Sequence, residues 1–550
     1  MSRPRVLAAL LAAVLAWLVG YPLLLTLLEA LGLGRGELTV EHLRTFVSRG
    51  DEWLALWRSL WISLASVALA AAVGVPLAFV FERTDFPGRR VLGALVALPV
   101  ALPPLVGVIA FLFLYGESGF VARGLQLALG LERSPWRLGG PGAILLVHAY
   151  SMYVYFYLFA RAGLARLDGA LIEAAAALGA GRLRILLRVI LPQLKPALLA
   201  AALLTFMTSL GSFSAPYIFG GGFRVMTTQI VASKVSGEIE LAMVESMVLA
   251  VFALAALWLI HRLQADAEVV TTAHGVAPAR RRIERPALRL VFGAVGWLLA
   301  LTLLLPHLTL TLISLVPTDT WTVELLPPVL DLSNYRALVS QPERLRPIVT
   351  SLWMASAATA GAVALGLAAG RAALKAGGRL GGVLEGLVAL PWAIPATVFA
   401  VALAATFSVD APWAGRFVLV GTPVILPLAY LVRCLPITGR AALAGLRQLD
   451  PALEEAASSL GAGGWRTLRR VVLPLVRPAL VAGLGLAFIT ALGDFVASIV
   501  LYTFATRPIS IEILSALRVQ ELGVAAAYGV LLMVLSAAAF LLWGRGEAAP

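Results

Sequence analysis

Residues Asp168–Pro192 read DGALIEAAAALGAGRLRILLRVILP, and Asp450–Pro474, 282 positions further on, read DPALEEAASSLGAGGWRTLRRVVLP. Each copy carries Glu-Ala-Ala, a Gly six residues after the Glu, and a Leu-Pro whose Pro lies thirteen residues after that Gly. An offset of about half the 550-residue chain means a half-length duplication, so both copies belong in the same structural setting. The local chemistry is that of a short capped helix. Asp168 and Asp450 are good N-caps, Pro451 suits the first helical position, and Gly179 and Gly461 supply a left-handed stop. About ten residues of helix are marginal alone in water, so each copy needs a partner surface. The small Ala side allows close approach, and Glu173 or Glu455 offers a carboxylate to a cationic group. A basic amphipathic turn follows, RLRILLRVIL (182–191) or WRTLRRVVL (465–473), and is expected to end at Pro192 or Pro474.

Hydrophobic residues make up 60% of the chain and charged ones 13%, with a mean hydropathy of +0.91. Soluble domains are closer to half apolar and a quarter charged, so the chain reads as an all-α integral membrane protein. Its net charge of +13 is read as basic residues holding topology, not as a nucleic-acid footprint. The single cysteine, Cys434, excludes an intrachain disulfide framework and a cysteine-based zinc site. The five histidines (42, 148, 261, 274 and 307) show no ligand spacing, so no metal and no directly bound cofactor is expected. The apolar N-terminal run is too long for a signal peptide and reads as a first span.

Twelve stretches fit the roughly 20 apolar residues that a spanning helix needs. They fall near 5–31, 59–81, 92–115, 142–162, 195–219 and 241–261, then 288–315, 349–370, 384–408, 418–437, 477–502 and 523–543. With the N-terminus inside, inner segments hold 28 of the 43 Lys and Arg, which puts both termini and both repeated loops in the cytoplasm. The duplication extends beyond the loops. Ser59-Leu-Trp61 matches Ser351-Leu-Trp353, VALPVALPP (96–104) matches VALPWAIPA (388–396), and SLGSF (209–213) matches ALGDF (491–495). Six spans per half make the repeats parallel, with a pathway expected at their interface. The division is therefore 1–265 for the first half, 266–287 for a polar cytoplasmic linker, and 288–550 for the second half.

E-A-A-x-x-x-G followed by Leu-Pro resembles the signature loop of bacterial ABC-importer permeases, and both copies match. The whole chain resembles the fused, double-length permeases of ferric-iron and thiamine uptake systems in the bacterial inner membrane, with a type I importer architecture. The resemblance implies that Glu173, Ala174, Ala175 and Gly179, with Glu455, Ala456, Ala457 and Gly461, contact two copies of a cytoplasmic ATPase subunit. It also implies a periplasmic or lipid-anchored solute-binding protein, for which the Gly220-Gly221-Gly222 loop is a docking candidate. Ile172 stands opposite Glu454, so the two ATPase contacts need not be equal. Ferric iron is the cargo that the likeness favours, with thiamine, phosphonates, polyamines and other oxyanions as alternatives.

A nucleotide-binding P-loop needs a Gly-Lys pair, and none of the three lysines (195, 234 and 375) follows a Gly. ATP is therefore expected to be used by another subunit, and the chain is not read as an enzyme. Asp494, assigned to the interior of the eleventh span, is a pathway or gate candidate or else a helix-packing group. Ser212, its first-half counterpart, and Ser214 are weaker candidates. The prolines of the third helix in each half (99, 103 and 104; 391 and 395) mark breaks that line a pathway, act as hinges or merely kink. The rival class is a twelve-helix secondary transporter. Its support is ERTDFPGRR (82–90), but the equivalent loop in the second half lacks the Asp, and the repeated loops go unexplained.

Overall fold

The computed structural model describes residues 3–32, 40–268, 280–282, 285–318, 320, 325–408 and 417–544. Among the described residues eleven helices are long and apolar enough to cross a membrane, and a bent pair, Gly378–Ala393 with Ala396–Thr406, makes a twelfth if it is one span. They run as two sets of six in the same order, which is the architecture expected. Among the described residues the only strand pairing is Thr84–Asp85 with Arg281–Arg282, parallel and two residues long. This pairing places part of the 266–287 linker against the end of the second span. Residues 269–279 and 283–284 of that linker lie outside the described set.

Several span boundaries differ from expectation, each for a physical reason. The second and eighth helices, Gly50–Arg83 and Pro342–Ala376, run well past the 59–81 and 349–370 windows, because their polar ends stay helical outside the apolar stretch. The tenth is Ile425–Arg447, displaced from 418–437, because Arg440 and Arg447, which lay beyond the expected end, are carried inside the helix. The fifth and eleventh start early, at Arg182 and Gly464, and stop at Leu210 and Leu492. Pro192 and Pro474 therefore do not end the basic turns. Each follows a five-residue π-helical turn, Leu186–Ile190 or Leu468–Val472, where the i−4 ladder is already re-registered, so the missing proline N–H is tolerated.

The halves exchange their first helices. Trp17, on the first span (Arg5–Ala30), meets Phe407 of the second half edge-on with ring centroids 6.0 Å apart. In return Phe292, on the seventh span (Pro286–Ser314), lies 6.4 Å from Phe86, and Tyr150 of the first half donates to Leu303 O at 2.8 Å. The largest buried cluster runs through both halves, so apolar packing joins them in one body.

Candidate functional site

The repeated loops fold into matching nine-residue capped helices, Gly169–Ala177 and Pro451–Ser459. Asp168 Oδ1 accepts from Ala170 N at 3.0 Å, and Asp450 Oδ1 from Ala452 N at 2.9 Å. Both ends close on a left-handed glycine, Gly179 with φ 78° and Gly461 with φ 76°. Ala180 N reaches Ala175 O and Ala462 N reaches Ala457 O, each at 3.0 Å, which satisfies carbonyls that a helix end leaves open.

What the two helices present outward is also repeated. Glu173, Ala174, Gly179, Glu455, Ala456 and Gly461 are exposed, whereas Ala175 and Ala457 are half-buried and seat the helices. Among the described residues neither the Glu173 nor the Glu455 carboxylate has a hydrogen-bond or ion-pair partner. Leu178 and Leu460, just before the glycines, are 89% and 88% exposed, so each loop offers a bare leucine beside a free carboxylate. Such a combination suits docking. Where the loops differ, the difference points inward. Glu454 binds Lys375 Nζ at 2.8 Å and Arg371 Nη2 at 3.1 Å, while Ile172 at the matching place packs against the first-half core. The unequal position therefore anchors the helix and is not offered to a partner.

A second constellation lies at the far ends of the fifth and eleventh spans. Both helices stop at a glycine, Gly211 or Gly493, and a short helix follows, Ser214–Phe219 or Val496–Leu501. Asp494 is thus in the break, two residues past Leu492, and not inside the eleventh span as expected. Gly493 ends the helix before the Asp is reached. The Asp494 carboxylate is buried and fully engaged. Oδ1 accepts from Ala497 N at 2.8 Å, capping the short helix, and Oδ2 pairs with Arg433 Nε at 3.1 Å. Arg433 was visible in the sequence only as a topology charge. The signal that identifies it as a partner is an arginine in an apolar stretch of the same half.

In the first half the break is neutral. Ser66 donates to Ile62 O, so it accepts from His148 Nδ1 at 2.8 Å, and the His148 Nε2 lone pair takes the Ser212 hydroxyl at 2.9 Å. Ser209 joins through Ser66 Oγ at 3.1 Å. His148 is the centre of this network, a role that a lone histidine far from any other does not announce. Ser214 is buried at the start of the short helix.

The two breaks meet. Phe213 and Phe495, equivalent residues at an offset of 282, have ring centroids 5.6 Å apart, and Tyr217 stacks on Phe213 at 5.1 Å. Each glycine faces a proline break of the opposite half. A Cβ on Gly493 would lie 3.0 Å from Pro103, and one on Gly211 would lie 3.7 Å from Pro395. Lys234 of the first half also hydrogen-bonds Val500 O of the second. The proline kinks and glycine breaks are therefore among the surfaces on which the halves touch.

The family model for binding-protein-dependent transport system inner membrane components matches twice, over 70–267 and 362–544. A "probable ABC transporter permease protein" (y4fN) of Sinorhizobium fredii is 30% identical over 89% of this chain and 87% of its own length. The ferric transport system permease protein FbpB of Actinobacillus pleuropneumoniae is 28% identical over 88% of this chain and 69% of its own. The molybdenum transport system permease protein ModB of Escherichia coli is 34% identical over 30% of this chain and 72% of its own. With two matched copies, the helix order and the repeated loops, the chain belongs to the family of binding-protein-dependent transport system inner membrane components, as a fused, double-length ABC-importer permease.

Proposed function

We propose that both repeated loops lie on the cytoplasmic side, with both termini, and that each docks one copy of a separate ABC ATPase. The observation that carries this reading is the pair of matched helices, each presenting an unpaired carboxylate and a bare leucine next to a left-handed glycine. Glu173 and Glu455 meet cationic groups of the ATPase, and Gly179 and Gly461 let the chain turn away directly below the contact. ATPase closure draws the loops together, and the fifth and eleventh spans transmit that motion to the breaks where Phe213 meets Phe495. A solute-binding protein delivers cargo on the opposite face.

Ferric iron is the cargo supported by a relative that is similar over most of the chain. An oxyanion such as molybdate is the second reading, supported by the arginines inside the tenth span. The test of coupling is reconstitution with an ABC ATPase and a solute-binding protein from the same organism. Glu455→Lys or Gly461→Asp is expected to abolish ATP-driven uptake with the protein still in the membrane. Unchanged uptake by a variant altered in both loops, or proton-driven uptake with no ATPase present, overturns the assignment.

A further inference from the structure

The tenth span carries Arg433, Arg440 and Arg447 at a spacing of seven. Seven residues are close to two helical turns, so the three share one stripe, stepping by roughly 10 Å. The first-half residues at the same offset of 282 are Ser151, Leu158 and Ala165, so the stripe belongs to the second half alone. Guanidinium groups along a membrane helix are retained where they face water or a polar partner.

Their environments change in a graded way. Arg433, nearest the break, is mostly buried and pairs through Nε with Asp494, and its Nη1 is buried with no hydrogen-bond partner. Arg440 is exposed and lies over the Trp392 ring at 4.7 Å. No carboxylate among the described residues pairs with it. Arg447 is bound by Glu385 at 3.0 Å. Arg440 and Arg447 line a cavity of about 490 Å³ between the eighth, ninth and tenth spans, with Gly370, Glu385, Gly386 and Ala444. Three arginines against Asp494 and Glu385 leave the stripe one positive charge in excess, centred on Arg440.

We infer that this stripe is the anion-attracting wall of the solute route, and that the cargo passes it as a small oxygen-rich anion. A planar guanidinium recognises oxyanions through paired N–H donors. Arg433 holds one such donor unused beside the break, and Arg440 lines the cavity with no carboxylate partner among the described residues. A bare ferric ion would be repelled here, whereas molybdate, sulfate or an anionic ferric chelate would be drawn along. The inference rests on the importer reading above and names the charge of its cargo.

The test reads the field in the cavity and needs no ATPase, so its failure is separable from failure of the coupling assignment. Ala444→Cys is placed in the full chain on a Cys434→Ala background, in phosphatidylcholine nanodiscs. It is then modified with two membrane-impermeant methanethiosulfonates, one sulfonate and one trimethylammonium. The anionic reagent is expected to react about tenfold faster than the cationic one. Arg440→Gln with Arg447→Gln is expected to erase the preference, and the corresponding lysine pair to keep most of it. Molybdate, sulfate or ferric citrate is expected to slow the reaction more than chloride at equal ionic strength, and whichever protects best names the cargo class. Equal rates for the two reagents overturn the inference, as does no reaction with either, which means that lipid seals the face. Protection by added phosphatidylglycerol in place of the oxyanions reassigns the stripe to lipid headgroups and overturns it too.

Discussion

The two halves build the same break with different chemistry. After the fifth span, Ser212 completes a neutral chain through His148, Ser66 and Ser209. After the eleventh, Asp494 completes an ion pair with Arg433 and caps the following helix. The backbone course is common to both: a glycine stop, a short helix, and an aromatic that meets its counterpart across the interface. A duplicated fold thus conserves where the chain turns while leaving each half free to choose how the turn is held. An ionic clasp holds tightly but leaves a costly remnant when one partner is lost, whereas a hydroxyl–imidazole chain loses only a hydrogen bond.

The largest expected effect follows from that asymmetry. Asp494→Ala leaves Arg433 with a mostly buried, unmatched charge and removes the helix cap. It should destabilise the chain by about 3 kcal/mol, read as a lowered unfolding midpoint in detergent. Adding Arg433→Leu should recover a good part of the loss. Ser212→Ala should cost about 1 kcal/mol. If the two single variants are equally destabilised, the ionic clasp is not the stronger device.

The repeated loops invert the comparison, because there the chemistry is the same. Gly179 and Gly461 hold left-handed conformations with nothing within 4 Å of a notional Cβ, so an alanine meets backbone strain and no clash. Each of Gly179→Ala and Gly461→Ala should cost about 1 kcal/mol, or roughly fivefold in ATPase affinity, and the two should match. Affinities that differ by tenfold between the variants would show that the loops are not equivalent docking elements.

The duplication was legible because caps, glycines and prolines are local signals: Asp168, Gly179, Asp450 and Gly461 take the positions their chemistry predicts. The third-helix breaks were legible for the same reason. What escaped depends on partners distant in sequence. Asp494 lies 61 positions from Arg433, and His148 lies 64 from Ser212, so neither pairing has a periodicity to find. The tenth span was displaced because apolar counting treats an arginine as the end of a helix. In the folded chain Asp494, Trp392 and Glu385 supply each arginine with a neighbour. The exchange of first helices between halves leaves no trace in either helix alone, since both are simply apolar.

The smallest predicted effect concerns the one position where the loops differ. Glu454 ties the second loop helix to Lys375 and Arg371 at the end of the eighth span, whereas Ile172 holds the first by apolar contact. The ionic tether is partly exposed, so it contributes about 0.5 kcal/mol and weakens as salt screens it. Glu454→Gln should therefore raise amide hydrogen exchange across 451–459 by about twofold at low salt and leave 169–177 unchanged. Raising the ionic strength should bring the unaltered chain up to the variant's rate in the second loop only, because burial of Ile172 is indifferent to screening. If both loops respond to salt alike, the tether is not what seats the second helix. The seating then comes from the half-buried Ala175 and Ala457, which the two copies share.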